Sequence, residues 1–401
     1  MGTEPFVYLD YAATSPLVPE AAEALAPYLA AGRPGAAWAD ANANTLYGPG
    51  REAFMALEGA RTRVAKALGA RPDEIIFTSG ATEADTAAVL GLAHAAEASR
   101  RLRAKGRCPH IIISAIEHDA VLQPARRLAR EGFELTVLPV NRGGFVTPEA
   151  LSAALTDDTV LVAIQAANGE IGSVQDVAAL AAIAHRAGVL FFADATQALG
   201  KIPLDLRKLG VDAAAFSGHK VGGPKGTGLL FLKARTPFDP LVLGGGQESG
   251  HRSGTQNVAG AVACAAAVEA AVGAQPAESA RLRILRDRLY NALAALPGVH
   301  PTVDVAPGSE AYLPCVVNVH VDGCEGNTLV LRFSGEGFCV SAGSACSSGS
   351  LDPSRALTAL GIGRDAAQGE LRVSMGRFTD EEDIDRFLEA ASRVIGGHYG
   401  R

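Results

Sequence analysis

The sequence predicts an α/β protein, with a mainly parallel sheet in a large domain and a smaller α+β domain after it, and three observations predict this. Short apolar runs such as Val189-Leu190-Phe191-Phe192-Ala193 and Ala213-Ala214-Ala215-Phe216 have the continuous hydrophobicity of strands buried on both faces. These runs alternate with helical stretches, the order of strand–helix–strand units. Polar residues stand where the runs end: Asp194 after the first, Ser217-Gly218-His219-Lys220 after the second. Ligands of open α/β sheets sit beyond the carboxyl ends of the strands, so Asp194 and Lys220 are candidates to face one another across a bound molecule. Pyridoxal 5'-phosphate suits both. Its aldehyde forms a Schiff base with a lysine amine, and a buried carboxylate keeps its ring nitrogen protonated as an electron sink. A structural ion pair is the competing explanation, and the other strand ends bear on the choice.

Taken in order, residues 8–14 read as an extended segment that turns at Ser15-Pro16 and packs on a distant part of the chain. A helix is expected over 19–31, with Pro19 early in it and Gly32 and Pro34 ending it, then a loop over 38–50 and a helix over 51–68 that stops at Gly69. The strand 75–78 leads into Ser79-Gly80-Ala81-Thr82 and a helix running to about residue 98. Such a turn offers unpaired N–H groups and a positive dipole end to a phosphate, with the Thr82 hydroxyl in reach; an ordinary N-cap explains the same residues. The strand 110–114 leads to Glu117-His118-Asp119 and a helix through residue 130. The His118 imidazole could stack on a flat cofactor ring or simply hydrogen-bond within a loop. Strands over 135–140 and 160–166 follow, the second delivering Asn168-Gly169-Glu170, and a crossover helix over 177–187 returns to the opening run. Beyond residue 258 the pattern changes to a helix near 258–272, a long helix over 278–296, a strand over 316–321, a further helix, and strands near Phe338 and Leu371. This divides the chain into a large domain over 17–258 and a small domain built from 1–16 and 259–401.

Composition excludes several classes. With 401 residues, 48% of them hydrophobic and 20% charged, the chain can bury sizeable cores. A net charge of −7 gives no general affinity for nucleic acid or anionic membrane, and the basic run from Arg100 to Arg107 reads as a solvated helix end and loop. The amino terminus has no basic-then-apolar leader, and Phe6 occupies the position where a myristoylation signal needs Ser or Thr, so a cytosolic location is expected. The alanine-rich stretch 258–274 is interrupted by Glu269 and suits a packed helix better than a membrane span. The six cysteines form no Cys-x-x-Cys pair and no metal spacing, so no zinc site is expected and most should be reduced, buried and inert. Cys346 is the exception. It lies in Ser341-Ala342-Gly343-Ser344-Ala345-Cys346-Ser347-Ser348-Gly349-Ser350, which has almost no side chain large enough to anchor it, so the thiol is expected to be exposed and mobile. A linker with an incidental cysteine is the bland alternative.

Together the motifs resemble those of the cysteine desulfurases of the NifS/IscS type, within the fold-type I, class V aminotransferase-like pyridoxal-phosphate enzymes. The resemblance rests on Leu9-Asp10-Tyr11-Ala12-Ala13-Thr14, Thr78-Ser79-Gly80-Ala81-Thr82-Glu83, Glu117-His118, Asp194-Ala195-Thr196-Gln197, Ser217-Gly218-His219-Lys220, Arg252-Ser253-Gly254-Thr255, Gly343-Ser344-Ala345-Cys346 and Leu371-Arg372, in the family's order over almost the whole chain. It implies that Lys220 carries the cofactor, Asp194 pairs with the pyridine nitrogen, Gln197 contacts the ring hydroxyl and His118 stacks on the ring and acts in catalysis. Ala81, Thr82, Ser217 and His219 would hold the phosphate, and Thr255 would reach the phosphate of a neighbouring subunit, making a homodimer. Arg372 would clamp the substrate carboxylate, with Asn42 also at the substrate, and Cys346 would be the nucleophile. The chain departs from the family's pattern at Gly169, where a second Asn is common, at Tyr47, where His is frequent, and at Thr86, which replaces a common Asn.

The activity so implied is conversion of L-cysteine to L-alanine, with sulfur left as a persulfide on Cys346 for an acceptor such as an iron–sulfur scaffold or a tRNA-thiolation protein. A selenocysteine lyase, another C–S lyase or an aminotransferase would keep the cofactor without needing the thiol. A non-catalytic sulfur-transfer scaffold would need neither Lys220 nor Asp194.

Overall fold

The computed structural model describes residues 6–29, 41–343 and 353–399, and Cys346 lies outside them. In chain order the strands are β1 (Val7–Tyr8), β2 (Ile75–Thr78), β3 (His110–Ser114), β4 (Glu134–Leu138), β5 (Thr159–Ala163), β6 (Leu190–Asp194), β7 (Ala213–Ser217), β8 (Gly228–Leu232), β9 (Val299–Pro301), β10 (Val316–Val321), β11 (Phe338–Cys339) and β12 (Glu370–Ser374). Seven of them form one sheet in the order β2-β8-β7-β6-β5-β3-β4. Its pairs are parallel except those of β8, which runs antiparallel to both β2 and β7. β8 is not among the expected strands. It follows β7 through a glycine-rich turn with no α-helix between them, only a short 3-10 turn, so the strand–helix alternation does not reveal it.

Alternate side chains of these strands enter two different cores, which is why their sequences are apolar without interruption. Phe191, Ala214 and Phe216 face a core shared with the helices Gly48–Leu68 and Val258–Ala294, whereas Phe192, Ala213 and Ala215 face one shared with the helix Ala81–Arg100. Because β2, β3, β5, β6 and β7 are parallel, Thr78, Ser114, Ala163, Asp194 and Ser217 all end at one edge of the sheet. β8 begins at that same edge. There Gly228 lies so close to the turn after β2 that a Cβ on it would come within 2.5 Å of the Gly80 Cα. Only glycine fits this approach of two backbones.

A second sheet, β12-β10-β9, is antiparallel and places Arg372 opposite Asn318. The extended segment 8–14 does pack on distant residues: β1 pairs with β11, and Asp10 bridges to Ser374. Several helix bounds differ from expectation. The first helix is Pro19–Leu25, continuing as a 3-10 turn over Ala26–Leu29, and the next begins at Gly48 rather than 51. The two helices expected on either side of Pro276 are one helix of 37 residues, Val258–Ala294. A proline costs an interior helix one hydrogen bond and crowds the preceding turn, but buried faces before it (Val258 to Val268) and after it (Leu282 to Leu293) carry the helix through. This helix is long and apolar enough by composition to cross a membrane, yet 56% of its most apolar window is buried inside the protein, against the helices that precede the sheet.

The loop before this helix is tied to the sheet by a buried ion pair. Arg61 donates through Nη1 and Nη2 to Glu248 at 2.6 and 2.8 Å, and Glu248 also accepts the Phe77 N–H at 2.9 Å. The Glu248 side chain is 1% exposed, and removing it takes from the buried Arg61 guanidinium its one buried carboxylate partner, leaving the more exposed Glu58 and the Ile75 carbonyl. Glu248→Ala is expected to cost about 3–5 kcal/mol of stability. The measurement is the urea midpoint at unchanged slope, and a midpoint equal to wild type would show that the pair does not hold the loop.

Candidate active site

A cavity of about 850 Å³ opens at the sheet edge where the parallel strands end. Of the residues singled out in the sequence, Ala81, Thr82, His118, Asp194, Gln197, Ser217, His219, Lys220 and Arg372 all line it. Asn42 and Thr255 do not. Both are exposed, and they belong to one surface region, because Asn44 donates to Asn42 Oδ1 and to Gln256 Oε1, beside Thr255.

The turn after β2 leads into the 20-residue helix Ala81–Arg100, whose N-cap is Gly80 with no side-chain cap. Thr82 is therefore not the cap. The helix presents its leading N–H groups and the Thr82 hydroxyl to the cavity, which suits an anionic oxygen. Glu83 accepts the Ser79 N–H at 3.0 Å and pairs with Arg252 at 2.9 Å, fixing the turn to the loop that carries Thr255. Across from it, His219 Nδ1 meets Thr14 Oγ1 at 3.0 Å. Burial, then the nearby charges of Lys220, Lys225 and Lys201, pushes the His219 imidazole down to about 4. At neutral pH it is uncharged, and if Nδ1 accepts from Thr14 its Nε2 carries the proton and is a donor.

Lys220 sits in the short 3-10 turn after β7, and its Nζ donates to the carbonyls of Ala12 and Ala13 at 2.6 and 2.8 Å. The segment that β1 ties to β11 and Asp10 ties to β12 thus ends against the lysine amine. Asp194, 8% exposed, closes β6 and accepts the Thr196 N–H at 2.9 Å through Oδ1. His118 is hydrogen-bonded in the loop, its Nδ1 capping the helix Asp119–Arg130 by accepting the Ala120 N–H at 3.1 Å, and the residue lines the cavity. Arg372 projects from β12 with its side chain 4% exposed, donating to Asp10 Oδ1 at 2.9 Å and to the Gly169 carbonyl at 3.3 Å.

Several residues of the cavity wall were not foreseen. Asp85 is fully buried one turn into its helix, neither carboxyl oxygen has a hydrogen-bond partner, and burial raises its pKa well above the usual range. A charged residue on the helix face of Ala84, Ala88 and Leu92 was the available signal. Glu117 accepts from Ser114 Oγ at 2.5 Å and from the Gln165 N–H at 2.9 Å, and burial pushes it up to about 8. Glu170 is likewise pushed up to about 7 by burial, although Arg372 and Arg355 oppose the rise. Arg355 donates to Asp119 at 2.7 Å and to the Glu117 carbonyl at 3.2 Å, and no local pattern in the sequence marks it.

Residues 7–387 match the family model for aminotransferase class V. The chain is 41% identical to cysteine desulfurase IscS of Dictyoglomus turgidum over 97% of its own length and 94% of the relative's. It is 40% identical to cysteine desulfurase IscS of Methanosarcina thermophila over 97% and 92%. Among solved structures, a NifS-like protein aligns with a TM-score of 0.87 at 35% identity, covering 98% of this chain and 100% of that one. SspA in complex with cysteine aligns with a TM-score of 0.76 at 31% identity, covering 92% and 98%. With its motifs gathered on one cavity and this likeness running the length of the fold, the chain belongs to the class V aminotransferase family and, within it, to the cysteine desulfurases of the IscS and NifS type.

Proposed function

We propose that this protein converts L-cysteine to L-alanine with pyridoxal 5'-phosphate as cofactor and Cys346 as the sulfur acceptor. The observation that carries the proposal is the placement of the Lys220 amine, the Asp194 carboxylate and the Arg372 guanidinium on one cavity, beside an uncapped helix N-terminus. These residues fit the cofactor: the helix start, Thr82, Ser217 and neutral His219 supply donors for a phosphate, Asp194 is a buried acceptor for a ring N–H, and Lys220 is an amine within the cavity. When bound, the cofactor supplies an electron sink that lets the substrate's Cα–H and then its Cβ–S bond be broken.

The chain's own groups do the rest. Arg372 would bind the substrate carboxylate, which leaves the amino group to meet the cofactor. Lys220 would hold the cofactor and move the Cα proton, and the Ala12 and Ala13 carbonyls hold its Nζ in the cavity. His118, held by its cap on the helix Asp119–Arg130, would lie against the ring of the bound cofactor. The Cys346 thiolate takes the substrate sulfur and passes it to an acceptor protein, for iron–sulfur cluster assembly or a thiolation pathway.

We further infer a homodimer. Leu46, Tyr47, Phe54, Met55 and Leu243 are large apolar side chains between 48% and 94% exposed, on the segments that adjoin Asn42 and precede Thr255. A second copy covering them would bring Asn42 and Thr255 to its own cavity, which explains why neither lines the cavity of its own chain. We propose a cytoplasmic location, where a reducing environment keeps a sulfur-accepting thiol free.

The test is borohydride reduction of the purified yellow protein followed by peptide mapping. The pyridoxyl group should be on Lys220. A label on Lys225, which also lines the cavity, or on Lys201 would overturn the assignment.

A further inference from the structure

Gln197 follows Asp194 by three residues, and both ends of its side-chain amide are held. Lys201 Nζ donates to Oε1, and Nε2 donates to the Ala12 carbonyl at 3.0 Å, the same carbonyl that receives the Lys220 amine at 2.6 Å. An ammonium has only donors, so Oε1 must be the end that faces Lys201. The amide then has one N–H left, and Gln197 lines the cavity whereas Lys201 does not. Lys201 is itself fixed from behind, because its carbonyl accepts Ser279 Oγ of the long helix at 2.5 Å.

Gly169 completes the arrangement. A Cβ there would lie 2.6 Å from Gln197 Nε2 and 2.7 Å from its Cδ, so the amide occupies the space that any side chain at 169 would need. The Gly169 carbonyl meanwhile receives Arg372 Nη1 at 3.3 Å, so the peptide cannot back away without disturbing the guanidinium.

We propose that Lys201 is a positioning residue that locks the Gln197 amide with its N–H toward the cofactor's ring oxygen, in the room that Gly169 leaves. The assignment rests on the cofactor reading above and adds to it. A donor at an anionic ring oxygen stabilises the form in which that oxygen no longer shares the imine proton, so it lowers the pH at which the bound cofactor's visible band titrates. A flipped amide would present its oxygen there and do the reverse.

The experiment is a spectrophotometric pH titration of the cofactor-loaded protein, without substrate. Lys201→Met should raise the midpoint by about one unit, and Lys201→Arg, which keeps charge and donors, should restore most of the shift. Gly169→Ala should raise it too, by pushing the amide aside, and decides the matter alone if Lys201→Met does not accumulate as folded protein. Midpoints equal to wild type in coloured, folded Lys201→Met or Gly169→Ala protein would overturn the proposal. A colourless wild type would instead count against the cofactor reading, so the two failures are distinguishable.

Discussion

Serine in place of Cys346 is expected to leave the protein yellow and able to bind cysteine, but unable to release alanine. On the proposed mechanism, cofactor attachment and loss of the Cα proton call on Lys220 and Asp194, which line the cavity, and not on a thiol. Cleavage of the C–S bond needs an acceptor for the sulfur, and a serine hydroxyl is a far poorer nucleophile toward sulfur than a thiolate. Mixing Cys346→Ser protein with L-cysteine should therefore shift the visible spectrum and exchange the Cα proton with solvent, while alanine formation falls by about three orders of magnitude or more. Normal alanine release by this variant would place the chain with the C–S lyases or aminotransferases that use the same lysine without a thiol.

Arg372→Gln is expected to have the second largest effect, on cysteine binding rather than on the cofactor. The guanidinium is almost wholly buried, one of its contacts is the 3.3 Å bond to Gly169, and its Nε has no partner. It has donors to spare for a carboxylate, and the Asp10 contact holds the fork in position. Losing a buried charge-assisted pair with substrate should raise the half-saturating cysteine concentration about a hundredfold, equivalent to about 3 kcal/mol. Retained yellow colour separates this from unfolding, since Asp10 loses its ion pair at the same time. Unchanged cysteine affinity would remove Arg372 from the substrate site.

The sequence was most legible where parallel strands dictate the outcome. Apolar runs buried on both faces announce strands, and a parallel sheet brings their ends to one edge, so Thr82, His118, Asp194, Ser217 and Lys220 could be placed together from pattern alone. β8 was missed because an antiparallel hairpin needs no crossover helix to mark it. The break expected between residues 272 and 278 is absent because packing on both sides of Pro276 is a tertiary effect that local propensity does not contain. Asp85 was signalled only by its place on the apolar face of its helix, and Arg355 reaches the cavity through long-range contacts that no local motif marks. The cysteines were legible in part. Cys264 and Cys315 are buried, the first pushed up to about 11 by that burial, but Cys108 is exposed and Cys324 and Cys339 are only partly covered.

That last point sharpens the central claim, that Cys346 is where the sulfur goes. Partial burial raises the thiols of Cys324 and Cys339, and Asp10 raises the second further, so both are poorer thiolates than a free cysteine. The most direct measurement is peptide mass spectrometry of wild-type protein after a brief exposure to L-cysteine, with alanine counted in the same sample. One added sulfur atom on the peptide containing Cys346, matched by one alanine per cofactor in the first turnover, is the expected result. Sulfur found on Cys324 or Cys339 instead, or alanine formed with no sulfur on the protein at all, would contradict it.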